Sequence, residues 1–125
     1  MKIITFDDIK ALRITPCECY SWVENMIAGK REAILPAKIH TRIPSLDSEI
    51  LLFDSTTGEI VCLMDGNWIT AMRTGAVAAH SVAILAKKDF KTISMLGLGN
   101  TARATLLILA EKYPNRELDV KLLKY

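Results

Sequence analysis

The chain has 125 residues, a net charge of +2, 50% hydrophobic residues and a mean hydropathy of +0.22, which suits one compact domain or a portion of a larger one and excludes a disordered tail. Lys and Arg number 16 against 14 Asp and Glu, and no basic run exceeds two residues, so no footprint for nucleic acid or an anionic membrane is present. The most apolar stretch, Asn67 to Ala86, carries Thr70, Arg73, Thr74, His80 and Ser81; it reads as a buried helix, not a membrane span. Met1-Lys2 leads directly into Ile3-Ile4-Thr5-Phe6 and an acidic pair without the form of a signal peptide, so a cytoplasmic location is expected. Cys17, Cys19 and Cys62 are odd in number and suit reduced thiols, and the Cys17-Glu18-Cys19 spacing on a helix directs the two sulfurs to different faces, so no metal site is expected.

In chain order, Lys2 to Phe6 is a β-rich run, and Asp7-Asp8 offers an N-cap for a helical turn through Leu12. Thr15-Pro16-Cys17-Glu18 has the form of a capping box with proline at the first helical position. It opens an amphipathic helix, Pro16 to Ala28, that Gly29 and Lys30-Arg31 close. From Ala33 to Leu46, Pro36 and Pro44 forbid a continuous helix and leave a short strand or an extended loop. Glu49 to Phe53 and Glu59 to Met64 form a β-hairpin around a loop ending in Gly58. Asp65-Gly66 turns the chain, and Asn67 is expected to cap a long helix to about Lys88 whose small residues, Gly75 among them, require another backbone to come close. Thr92 to Leu96, an amphipathic stretch through Lys112 and Leu118 to Leu123 complete a β-α-β order. The natural boundary is the charged cluster Lys87-Lys88-Asp89, dividing the chain into 1–90 and 91–125.

The first strand of that β-α-β order feeds into Gly97-Leu98-Gly99-Asn100-Thr101-Ala102, a G-x-G-x-x-A turn in the context that dinucleotide binding demands. Gly97 permits the tight turn, Gly99 lets the backbone approach a pyrophosphate, and Ala102 is small enough for helix-on-strand packing. The free N–H groups of the following helix would face the phosphates. Asp119 has the spacing of a ribose-binding acid but lies at the start of its strand, so it reads as surface charge, and NAD is not separable from NADP. Arg73 is the lone charge of a small-residue helix and suits either a structural carboxylate or the capture of a substrate carboxylate or cofactor phosphate. His80, seven residues on, reads as a packing histidine, while Lys38 and His40 on an alternating segment suit acid–base chemistry or a solvated face.

Ile50-Leu51-Leu52-Phe53-Asp54, Thr57-Gly58, Leu63-Met64-Asp65-Gly66, Ile69-Thr70-Ala71-Met72-Arg73-Thr74-Gly75-Ala76 and the glycine turn occur in one order and at close spacing. Together they resemble the ornithine cyclodeaminase and mu-crystallin family. The resemblance implies an α/β fold in which an N-terminal α+β dimerisation and substrate portion precedes the first β-α-β unit of a Rossmann-like NAD(P)-binding domain. It implies a homodimer acting on a small amino acid, with NAD as cofactor. The activity implied is conversion of L-ornithine to proline with release of ammonia, hydride passing from the substrate's α-carbon to NAD and back. A related amino-acid or imine oxidoreductase is the alternative, and a non-catalytic oligomerising remnant is another. Transferred by motif, Lys38 and Arg73 would hold the substrate carboxylate; Ser45, Arg73, Thr74, Gly97, Gly99, Asn100, Thr101 and Ala102 would hold the cofactor.

Two departures stand out. The family has a longer segment, with a catalytic lysine, between its basic substrate residue and the hairpin, so Lys38 matches either that substrate residue or what remains of the lysine strand; no catalytic residue is assigned. The family's catalytic aspartate and return strands lie beyond the position of Tyr125, so a shortened relative with weak or no turnover on its own is expected.

Overall fold

The computed structural model describes residues 1–28 and 48–123, and for 37–40 the backbone alone. Its elements run β1 (Lys2–Ile4), α1 (Phe6–Ala11), α2 (Pro16–Ile27), β2 (Ala37–His40), β3 (Ser48–Phe53), β4 (Ile60–Asp65), α3 (Asn67–Leu85), β5 (Thr92–Leu96), α4 (Asn100–Lys112) and β6 (Asp119–Leu123). The fold is α/β, and the chain forms two compact units: Met1–Ile14 with Arg31–Thr70, and Thr15–Lys30 with Ala71–Tyr125.

The first unit is a four-stranded sheet in the order β1-β4-β3-β2. β3 and β4 make the expected hairpin, with Gly58 at φ +73 where an L side chain would be strained, and Asp54 Oδ1 accepting the N–H groups of Thr56 and Thr57 at 2.8 and 2.9 Å. β1 adds parallel to β4, and β2 adds antiparallel to β3 with Lys38 opposite Ile50. The start of α1 differs from expectation. Its N-cap is Thr5, whose hydroxyl accepts Asp8 N–H at 3.3 Å while the Asp8 carboxylate accepts Thr5 N–H at 2.8 Å. The capping box lay inside what reads as strand, and β1 ends at Ile4 so that Thr5 can cap.

α3 also begins otherwise than expected. Gly66 precedes it: its carbonyl accepts Thr70 N–H at 2.7 Å and its own N–H donates to Ser48 O. A Cβ at Gly66 would stand 2.7 Å from Ser48 O, so glycine is what lets the helix start against β3. Asn67 is itself the first residue of the helix, its Oδ1 accepts Ser48 N–H at 2.9 Å, and Ser48 Oγ meets Thr70 Oγ1 at 3.2 Å. The far end stops at Leu85, short of Lys88, whose carbonyl accepts Arg116 Nη2 at 2.8 Å while the guanidinium stacks on Phe90 and Tyr113. That tertiary hold on the chain overrides helix continuation.

In the second unit, α2 has the anticipated box: Thr15 Oγ1 accepts Glu18 N–H at 3.2 Å and the Glu18 carboxylate accepts Thr15 N–H at 2.8 Å. Cys17 is exposed and Cys19 buried, as opposite faces require. Burial pushes the Cys19 thiol up to about 11. The core joins Cys19, Tyr20 and Val23 of α2, Met72, Ala76 and Ala79 of α3, and Ala104, Ile108 and Leu109 of α4. β5 and β6 pair in parallel from Thr92–Asp119 to Leu96–Leu123, with α4 as the crossover, which is the predicted β-α-β unit. Its two-stranded sheet leaves Leu96 71% and Leu123 61% exposed.

Candidate nucleotide site

The β5–α4 turn is built for close approach. Gly97 sits at φ +79, and its N–H donates to Leu123 O at 3.0 Å, which ties the turn to the end of β6. Gly99 is the N-cap of α4, extended at φ −74 and ψ −179, and a Cβ there would find no atom of the described residues within 4 Å. Among the described residues, the space beside Gly99 is therefore open. Among the described residues no side chain caps α4, and no acidic residue occupies its first turn, whereas α1 and α2 have both a capping box and an acid. The first N–H groups of a helix need partners and its positive dipole end favours an anion, so this end is chemically prepared for a phosphate. Asn100 and Thr101 are exposed beside the turn, and Ala102 is half-buried. Thr105 Oγ1 donates to Thr101 O at 2.9 Å one turn further on. These residues fit the pyrophosphate of a dinucleotide.

α3 meets α4 close to that end. A Cβ on Gly75 would stand 2.8 Å from both Ala104 Cβ and Thr105 N, so these backbones approach as the small residues of α3 foretell. Arg73 and half-buried Thr74 come just before this contact. Arg73 is exposed and, among the described residues, makes no hydrogen bond or ion pair; of its two readings, the structural carboxylate finds no support there. His80 is the packing histidine expected: its side chain is 13% exposed, and Nδ1 lies 3.1 Å from Tyr20 Oη and 4.0 Å from Glu24 Oε1. Lys112 Nζ sits 3.8 Å above the Tyr20 ring. Asp119 is exposed at the start of β6, 4.0 Å from Lys121 Nζ, which is the surface position anticipated. Ser45 lies outside the described residues; of Lys38 only the backbone, in β2, is described. Among the described residues, no group of three His, Cys, Asp or Glu side chains could hold a metal, and no helix is long and apolar enough to cross a membrane.

Sequence reasoning passed over the Ser48–Asn67–Thr70 knot, whose members are too far apart in the chain for any local pattern. It also passed over Arg103, an exposed cation that closes the first turn of α4 by donating its N–H to Gly99 O at 3.0 Å. A readable signal was there: a positive residue four places after the second glycine.

The second unit thus has the parallel β-α-β form and glycine turn of a nucleotide-binding domain. The sequence model of the ornithine cyclodeaminase/mu-crystallin family matches residues 6–124, and the chain belongs to that family. It is 32% identical over 99 residues to the ketimine reductase mu-crystallin of Mus musculus, covering 79% of this chain and 32% of that one. It is 38% identical over 84 residues to a Delta(1)-pyrroline-2-carboxylate reductase of Colwellia psychrerythraea, covering 66% and 26%. The chain thus spans about a third or less of the length of these relatives. The solved iminosuccinate reductase of Paracoccus denitrificans, in complex with NAD+, superposes with a TM-score of 0.75 at 24% identity, covering 99% of this chain and 49% of that one, which establishes the shared fold.

Proposed function

We propose that the chain is part of an NAD(P)-dependent oxidoreductase acting on the carbon–nitrogen bond of a small amino or imino acid. The observation that carries this reading is the open, uncapped start of α4 behind Gly97 and Gly99. In this reading residues 91–125 hold the pyrophosphate, with Asn100 and Thr101 beside it, and 1–90 serve substrate binding and dimerisation. Bound there, the nicotinamide supplies a hydride to an imine carbon, or accepts one from an amine carbon, with a proton moving at nitrogen. NAD is the proposed cofactor and NADP its alternative. Arg73, with no protein partner among the described residues, offers a fork that matches a substrate carboxylate bidentately. Thr74 borders the cofactor, and Lys38 and Ser45 are carried over from the motif alone. The names of the mouse and Colwellia relatives favour reduction of an imine. Cyclisation of L-ornithine to proline with loss of ammonia is the second reading, favoured by the family match itself, since it runs the same hydride step outward and back. A homodimer in the cytoplasm completes the proposal; the exposed Trp22, Met26 and Ile27 of α2 and the free thiols agree with it.

NADH oxidation with Delta(1)-pyrroline-2-carboxylate, beside ammonia release from L-ornithine, tests the reading. Imine-dependent oxidation by the chain supports it. The Arg73→Gln variant should keep the wild-type melting temperature and bind the imine acid about 10- to 100-fold more weakly, the loss of roughly 1.4–2.7 kcal/mol of carboxylate binding. An NADH-loaded chain to which neither the imine acid nor L-ornithine binds would leave a nucleotide-binding remnant and sink the enzymatic proposal.

A further inference from the structure

Arg103 contradicts the local electrostatics of its helix. Closing the first turn of α4, it stands at the positive end of the helix dipole, where a cation is repelled. α1 places Asp7 and Asp8 at the corresponding end and α2 places Glu18, but α4 has no acid there. The Arg103 side chain is exposed and, among the described residues, has no hydrogen bond or ion pair to offset the repulsion. Helical side chains lean toward the N-terminus, which brings a guanidinium at this position back over Gly99 and Asn100. An arrangement that is unfavourable in the bare chain becomes favourable once an anion sits at the turn, because the helix end and the guanidinium then face the same negative charge. Resting on the cofactor reading above, we infer that Arg103 is a ligand of the dinucleotide's pyrophosphate, binding two of its oxygens through its planar fork.

The test titrates NADH into the wild-type chain, Arg103→Gln and Arg103→Lys at low and high salt, and melts each in the absence of nucleotide. Gln and Arg are comparable helix formers, so the comparison isolates charge. Arg103→Gln should bind NADH about tenfold more weakly, with a shallower salt dependence, and Arg103→Lys should recover part of the loss. The nucleotide-free Gln variant should melt at or above the wild-type temperature, since a repulsion has been removed. Equal NADH affinity and equal salt dependence in wild type and Arg103→Gln would overturn the role of Arg103 and leave the cofactor reading intact. So would a nucleotide-free Gln variant that melts clearly below wild type, which would make the arginine structural. A wild-type chain that binds no NADH overturns both.

Discussion

The Gly99→Ser substitution acts on α4 in two opposed ways. At φ −74 and ψ −179 the backbone is one that any residue adopts, and a Cβ would meet nothing within 4 Å, so the fold accepts the change. A serine hydroxyl would cap N–H groups that no side chain now caps, and serine exceeds glycine at an N-cap by about a few tenths of a kcal/mol. For a chain of this size that is a rise in Tm of roughly 1–3 °C. On the proposed reading, the same side chain fills the space through which a pyrophosphate would reach the backbone, and overpacking of that kind costs about 1–3 kcal/mol, or roughly 5- to 150-fold in Kd. Thermal melts and NADH fluorescence titrations on one preparation read both quantities. The expected result is a variant that is slightly more stable and binds nucleotide much less tightly; Gly99→Ala, which blocks without capping, should lose binding with no gain in Tm. A serine variant that binds NADH as tightly as wild type would refute the reasoning, because the open space at Gly99 would then have no connection with the ligand.

Gly75→Val pushes α3 off α4, since even a Cβ would stand 2.8 Å from Thr105 N; a loss of about 1–3 kcal/mol should lower Tm by roughly 5–20 °C, and an unchanged melt would show that the two helices separate freely. Acid should weaken the helix starts. Hydrogen bonds from Thr5 and Thr15 hold the Asp8 and Glu18 carboxyls below their usual range, so both contribute stability above the ordinary carboxylate range and lose it as pH falls through their folded values. Glu18→Gln should therefore show a smaller drop in Tm between about pH 5 and pH 3 than wild type does; an identical drop would remove Glu18 from the account.

Local chemistry was legible and distant chemistry was not. The Thr15–Glu18 box and the Gly58 loop announce themselves within a few residues because every atom involved belongs to one turn. The same grammar was present at Thr5–Asp8, but the β-rich residues before it hid the cap inside an apparent strand. The limits of α3 escaped for another reason. Its start is set by Ser48 on another strand and the chain beyond its end is held by Arg116, neither of which a window around the helix contains. At the site, Gly97, Gly99 and the helix behind them follow from spacing alone, whereas the lack of a partner for Arg73 among the described residues is a property of its surroundings and emerges only in three dimensions.

The hydrogen bond from Gly97 N–H to Leu123 O has a consequence for biosynthesis. The glycine turn leaves the ribosome well before β6, so this hydrogen bond closes only once that strand has emerged and paired with β5. Until then the turn lacks the hydrogen bond that ties it to β6. On the proposed reading, NADH should therefore act as a late folding ligand, favouring chains whose β6 has docked over those stalled earlier.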